Sequence, residues 1–318
     1  MSADASVKRV IALATIRRNV SDLDIKLASY LLSKQVGDQL MGIRELAEQF
    51  AVSLGSVSTT LNNFEEAGAV CIKKRGRLGS TLEEKSIGAL WNIVANGPMI
   101  LALTLPSFPK CEGLATAIYA LLNSAGVETY LIFIRGSINR LKALRQGSCH
   151  AAVISALAAD ELTGPEEETL LTLPPESFVK AHRIFYRRSS VEKTDPLVVG
   201  IDHDSFDVTY LTELEFEGSS VQYQEMTFTQ IDLHMAKSSV DAAVSNSDHL
   251  ERITGNEIAS RSLSSRVQAL LGDRDTSAAI VIRSDAVAAR IVLSELLDPV
   301  KTLEIQQQVV DGKMVPRY

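Results

Sequence analysis

Between residues 23 and 67, apolar positions recur three times at helical spacing. Leu23, Ile25, Leu27, Ala28, Leu31 and Leu32 stripe a first helix over about 23–32. Ile43, Leu46, Ala47 and Phe50 fall at i, i+3, i+4 and i+7 and predict a second helix over 43–50. Ala51-Val52-Ser53 then reads as a short turn, with Val52 plugging the corner. Ser53 reads as an N-cap, because its hydroxyl can accept a free backbone N–H. The third helix puts Val57, Leu61, Phe64 and Ala67 on its buried stripe and Ser56, Ser58, Thr59, Asn62 and Asn63 on its other faces. Gly68, tolerant of positive φ, ends it. At Val70 the period changes: Val70 and Ile72 alternate as in a strand, and Arg75-Gly76-Arg77 forms a hairpin tip.

Helix, tight turn, helix and basic hairpin is the order of a winged helix-turn-helix, which lays its recognition helix in the major groove. The contacts expected with double-stranded DNA come from Ser53, Ser56, Ser58, Thr59, Asn62 and Asn63 around the recognition helix. Lys73, Lys74, Arg75 and Arg77 supply the wing. Phosphates attract such a wing whatever the base sequence. Glu45-Leu46-Ala47, Val52-Ser53, Val57 to Leu61, Gly68 and Gly76/Gly79 resemble the DNA-binding domain of GntR-type bacterial repressors, over about a quarter of the chain. That family has Arg just after the turn Ser and after the Val; here Leu54 and Ser58 stand there, so guanine recognition by Arg is missing from those positions. The resemblance then implies modest affinity, or reliance on the wing and on dimerisation. A winged helix used only for protein contacts would have the same core; the basic wing favours DNA.

Residues 81–97, with the only Trp, Trp91, read as a short connection. Beyond them, strands and helices alternate, the pattern of a largely parallel α/β sheet. Strands are expected at 100–105, 127–134 and 151–154, with helices at 114–125 and 139–146 between them. Strands at 197–201, 221–226 and 242–244 and helices at 207–216 and 230–237 repeat the grammar. INRLKALRQGSCHAAVIS (138–155) and FTQIDLHMAKSSVDAAVSN (228–246) align as helix, polar turn and Ala-Ala-Val strand, which suggests two similar lobes. Residues 177–186 would cross between the lobes as a hinge, 278–283 would return, and 287–297 would be a long helix. Two lobes, two crossings and a cleft resemble a type II periplasmic-binding-protein-like domain. Gly136-Ser137, Leu144, Gly147 and the following strand resemble its first-lobe signature, with Asp241 but His150 before the short strands. Joined to the GntR-like head, this resembles the YhfZ-type family of bacterial transcriptional regulators. The expected architecture is α/β with an N-terminal winged helix-turn-helix: head 1–84, linker 85–97 and bilobal effector-binding domain 98–318.

Ligands of open α/β sheets bind beyond the carboxyl ends of the strands. That selects Ser107, Arg135, Gly136, Ser137, Ser155, Asp202, Thr227, Thr229 and Ser245 as effector-binding candidates. Ser137 and Thr229 open helices, whose free N–H groups favour anions, and Arg135 can bind a carboxylate or phosphate bidentately. The expected effector is therefore a small anionic metabolite; the Ser and Thr residues read equally well as plain helix caps.

The charge balance narrows the picture. The 318 residues carry a net charge of −7, but residues 1–85 hold 12 Lys/Arg against 10 Asp/Glu, so basic character is local to the wing. Cys71, Cys111 and Cys149 lack metal-ligand spacing and read as reduced thiols. No apolar run of membrane length and no secretory h-region occurs, and the expected setting is cytoplasmic. Asp202-His203-Asp204 is the one metal-like cluster, yet neighbouring side chains in an extended strand cannot all face one ion. Glu166-Glu167-Glu168 reads as a solvated loop or helix start, and His182 and His234 show no obvious partners. Without catalytic, nucleotide or cofactor motifs the expectation is no enzyme and no cofactor. What remains is an effector-responsive, homodimeric transcription factor; the alternative is a metabolite-binding protein or enzyme on the same bilobal fold, its head used for assembly. The dimer surface would be the first helix or the one at 287–297.

Overall fold

The structure, a computed structural model, describes residues 20–76, 79–191, 196–248 and 257–318, and at Thr229 the backbone only. Arg77 and the Thr229 side chain, both named above, lie outside the described residues. The chain forms two compact units. One holds the residues up to Met99 with 118–130 and 286–298; the other holds 100–117, 131–285 and 299–318.

In the first unit, helix α1 (Asp22–Leu32) opens with a reciprocal cap: Ser21 Oγ accepts the Asp24 N–H, and Asp24 accepts the Ser21 N–H at 2.8 Å. Strand β1 (Gln39–Leu40) precedes α2 (Ile43–Phe50) and α3 (Leu54–Glu66). The turn between these helices passes through Ala51 at φ 54°, and Ser53 caps α3 by accepting the Ser56 N–H at 3.0 Å. Val57, Phe64 and Ala67 are buried as the stripe predicts, whereas Leu61 is only half-buried. The wing is β2 (Val70–Lys74) and β3 (Ser80–Lys85), antiparallel, with β1 added on the far side of β3.

The stretch 81–97, read as a connection, is ordered instead into β3 and helix α4 (Ile87–Ala95). α4 packs along α1 and buries Leu90, Trp91 and Ile93. It has almost no polar face, so helical amphipathicity gives no signal. Lys85 ties this bundle together: its buried ammonium donates to the Leu32 and Lys34 carbonyls at the end of α1 and to Glu295 at 2.7 Å.

The second unit holds most of two five-stranded sheets. The first comprises β4 (Met99–Leu103), β5 (Thr129–Phe133), β6 (Ala151–Ser155), β7 (Glu167–Thr172) and a returning strand, β13 (Ala278–Arg283). Its order is β5-β4-β6-β13-β7, with β4 and β6 parallel and β13 antiparallel to both β6 and β7. Helices α5 (Pro109–Ser124), α6 (Ser137–Arg145) and α7 (Ala156–Leu162) accompany it. α5 starts five residues before its apolar stripe because Pro109 suits the first turn. The Glu166–Glu168 run is a correction. Glu167 begins β7, is buried, and takes the Arg145 guanidinium at 2.8 Å, which holds its carboxyl below the usual range.

The second sheet comprises β8 (His182–Arg187), β9 (Leu197–Ile201), β10 (Val221–Glu225), β11 (Ala242–Asn246) and β12 (Ile258–Ser262), in the order β10-β9-β11-β8-β12. Helices α8 (Phe206–Glu215), α9 (Ile231–Ala236) and α10 (Ser265–Leu271) serve it. The two lobes are built alike. Each runs parallel from its first strand to its short Ala-Ala-Val strand, and each then borrows an antiparallel strand from the crossing, β13 in one and β8 in the other. Two helices close the chain. α11 (Val287–Leu296) belongs to the first unit, where Ala289, Val292 and Leu293 are buried beside α1 and α4; that stripe, considered above as a dimer surface, is covered within one chain. α12 (Pro299–Val310) lies in the second unit, where buried Gln306 donates to the Lys110 and Ser177 carbonyls.

Candidate nucleic-acid interface and ligand cleft

On the recognition helix α3 the buried stripe fixes which side chains remain outside. Ser53, Ser56, Thr59, Asn62 and Asn63 are exposed and Ser58 is half-buried. Ser53 is engaged as the cap, and its Oγ lies 2.8 Å from that of Ser56. Leu54, just after the turn Ser, is an exposed apolar side chain. In the wing, Lys74 and Arg75 are exposed, while Lys73 pairs with Glu83 across the hairpin at 2.8 Å. Lys73 therefore offers a partly neutralised charge, and the wing's free cations among the described residues are Lys74 and Arg75.

The cleft between the lobes is shut by polar side chains of the chain itself. Asp202, at the end of β9, is fully buried. It accepts the N–H groups of Asp204 at 3.2 Å and Phe228 at 2.8 Å, which fixes two mouth loops of the second lobe. It also accepts Arg135 Nη2 from the first lobe at 2.6 Å, while Nη1 reaches Asp204 at 2.8 Å. A second tie joins Ser155 Oγ, at the end of β6, to Asp207 Oδ1 on α8 at 2.6 Å. At Gly136, φ 82°, a Cβ would collide with the Asp204 carbonyl, so the close approach of the lobes there needs glycine. The 202–204 triplet divides accordingly: His203 is exposed and faces Glu225 at 3.3 Å, away from buried Asp202.

Inside these ties lies a cavity of about 60 Å³. Of the candidates, Ser107, Arg135, Gly136 and Ser137 line it. Four other candidates do not. Ser155 and Asp202 are spent on the ties, Thr227 stands outside the lining, and buried Ser245 has a hydroxyl without a partner. The repeat explains the last case. β6 and β11 are both five residues long, so the counterpart of Ser155 is Asn246, and Asn246 lines the cavity. Counting forward from His150 and Asp241 gives this register; matching Ser to Ser does not.

The sequence reading also missed Arg140, Asp207, His182 and Cys111. Arg140, on the first turns of α6, is 3% exposed and lines the cavity. Its Nη1 donates to the Ile134 carbonyl at 2.8 Å, and its Nε has no partner. Burial lowers its pKa to about 10, which still leaves it charged at neutral pH. Asp207 has its pKa raised by burial, against the pull of His182, the Ser155 hydroxyl and Arg140. His182 Nδ1 sits 2.8 Å from Asp275 Oδ2. Cys111 is held as a neutral thiol, pushed up to about 12 chiefly by burial. The arrangement presents one cation without a bound counter-charge at the floor of a small polar chamber.

Residues 87–318 match the family described as the YhfZ C-terminal domain, and residues 35–82 match a helix-turn-helix domain family. The chain is 31% identical over 293 residues to the uncharacterized protein YhfZ of Escherichia coli strain K12, covering 92% of this chain and 95% of that one. The crystal structure of YhfZ from Shigella flexneri matches at 26% identity and TM-score 0.60, over 73% of this chain and 98% of that one. The periplasmic aliphatic sulphonate binding protein SsuA from Escherichia coli matches at 14% identity and TM-score 0.50, over 68% of this chain and 75% of that one. The fold is thus α/β with an N-terminal helix-turn-helix domain and a periplasmic-binding-protein-like body.

Proposed function

The chain belongs to the YhfZ family, and from that premise we propose that it is a cytoplasmic, homodimeric transcriptional regulator whose affinity for double-stranded DNA is set by a small anion held between its lobes. The joining of a helix-turn-helix domain to a YhfZ-type body supports a regulator. The observation that carries DNA binding is the outer face of α3. It shows Ser56, Thr59, Asn62 and Asn63 to solvent and is followed by a wing whose Lys74 and Arg75 are exposed. Small polar side chains reach base edges and phosphates, and exposed wing cations supply the salt-dependent attraction. The GntR-like character of the head rests on its Glu-Leu-Ala helix and Val-Ser turn.

The effector reading rests on the cavity and on Arg140, whose Nε has no hydrogen-bond partner and which Asp207 offsets only through space. An anion entering the chamber binds best to one separation of the lobes, and it shifts DNA affinity by the difference in its binding to the two states. Two heads of a dimer would read half-sites about one DNA turn apart. The test is selection from random genomic fragments at two salt concentrations. Recovery of a two-fold motif that weakens with salt is expected. A folded, dimeric protein that enriches nothing would return the head to an assembly role.

A further inference from the structure

We propose that the ligand's charge is read by Arg140, not Arg135, and that the chamber takes one small oxyanion group, a carboxylate or a tetrahedral oxyanion, against that guanidinium. This rests on the regulator reading and specifies its ligand. Arg135, the residue the sequence singles out, already holds Asp202 and Asp204. Arg140 has no carboxylate within 4.0 Å among the described residues, Asp207 acting on it only through space, and its hydrogen bond goes to a neutral carbonyl. A buried guanidinium left this way is costly unless something completes it.

The fold does not require a charge there. Gly147 and Ser238, at φ 70° and 55°, occupy the same turn of the repeat. In both turns the next residue donates to the carbonyl five residues back, at 2.9 Å in one lobe and 3.0 Å in the other. Carrying that register back through α6 and α9 sets Arg140 against Ile231, which is fully buried in apolar packing. The second lobe therefore builds the same corner from an isoleucine. The first lobe places a cation there, lining the chamber, where an anion would supply a contacting counter-charge.

The surroundings agree. α6 is nine residues long, its N-cap is Gly136, and no side chain caps it, so its first amides remain available to an anion. Buried Ser137 stands on that first turn, and His182 and Asn246 face it from the second lobe. A chamber of about 60 Å³ suits a sulfate- or acetate-sized group.

The full chain would be titrated by calorimetry with sulfate, phosphate, acetate and oxalate at constant ionic strength. At least one should bind one-to-one. Arg140→Gln should weaken that anion at least tenfold, and Arg140→Lys should fall between, since it keeps the charge and loses the planar edge. Arg135→Gln should weaken it less than Arg140→Gln. Binding confined to sulfate and phosphate, or to acetate and oxalate, identifies the oxyanion and supports the proposal either way. No binding by any of the four, or equal affinity in Arg140→Gln, overturns it. Should Arg140→Gln not fold, selenate soaked into crystals of the unaltered chain decides the matter. An anomalous peak beside Arg140 supports the site, and peaks elsewhere, an adventitious ion only, overturn it. DNA retention on the same preparations separates the two ideas. Salt-dependent DNA binding without anion binding removes the inference alone; anion binding at Arg140 without DNA binding removes the regulator reading alone.

Discussion

The two lobes repeat one construction and differ at the residue just before the short strand. In the second lobe, Asp241 donates its N–H to the Val198 carbonyl at 2.7 Å and accepts the Val198 N–H at 3.0 Å. In the first, His150 donates its N–H to the Ile100 carbonyl at 2.8 Å and accepts the Ile100 N–H through Nδ1 at 3.0 Å. The position demands an acceptor aimed at the first strand, and an imidazole meets that demand as a carboxylate does. What the carboxylate adds is charge: Asp241 also takes Arg187 Nη2 and the Ser190 hydroxyl, each at 2.7 Å. The exchange of Asp for His between the lobes, visible in the sequence, thus leaves the strand pairing intact and changes what else the residue holds.

The largest effect should follow from removing that extra load. Asp241→Ala leaves the Arg187 guanidinium without its carboxylate and strips two further donors; breaking such a buried pair costs about 3–5 kcal/mol. His150→Ala orphans one N–H and should cost about 1–3 kcal/mol. Denaturant midpoints of the two variants measure the gap, and equal losses would mean that strand tying, not charge, dominates in both lobes.

Next in size is the clamp that only the first lobe supplies. Arg135 corresponds to Met226 in the repeat, so the second lobe has no cation at that position. Asp202 keeps two backbone donors when Arg135 becomes Gln, so the loss should be about 1–3 kcal/mol. The lobes should also separate more readily, seen as a larger radius of gyration in solution scattering. An unchanged radius would show that the Ser155–Asp207 tie suffices to hold them.

His150 makes its position in the first lobe acid-sensitive. Burial lowers its pKa, so the folded state favours the neutral ring. Stability from this residue is present above the ordinary histidine range, near 6.5, and is lost as pH falls through the lower folded value. Protonation at Nδ1 would also remove the acceptor for Ile100. His150→Asp, which imports the other lobe's residue, should flatten this part of the profile; a profile as steep as before would place the sensitivity elsewhere.

These contrasts also show what the sequence can carry. The helices at 43–50 and 54–66 are legible because half their residues must face a small core, so the stripe is written into the chain. α4 is not legible, because a helix covered on nearly every side, as around Trp91, loses its period. β1 is two residues long and gives no pattern. In the cleft, Gly136 and Ser137 could be found from the loop after a strand. Arg140 could not, since an arginine in INRLKALRQ reads as a solvated helical residue. Its one signal is the Ile231 that stands in its place in the repeat. Arg135 misled for the opposite reason: a cation at a strand's carboxyl end resembles a ligand-binding group whether its partner is a ligand or Asp202.

The finest test of the repeat is at its turns. Gly147 adopts φ 70° without strain, while Ser238 adopts φ 55° with a Cβ. Placing Ser at 147 adds the left-handed penalty, about 1 kcal/mol, together with a Cβ 3.4 Å from the Arg283 guanidinium. The reverse change, Ser238→Gly, removes that penalty but also removes the hydroxyl that accepts Arg187 Nη1 at 2.6 Å. The two terms are of similar size, since a hydrogen bond to a charged group contributes about 1.5–3 kcal/mol when buried and less at a partly open site. The pair should therefore respond asymmetrically: a measurable loss for Gly147→Ser and a shift near zero for Ser238→Gly. A clear gain at 238 would show that the serine stands there at a cost its bond to Arg187 does not offset, and that the turn geometry alone aligns the two lobes.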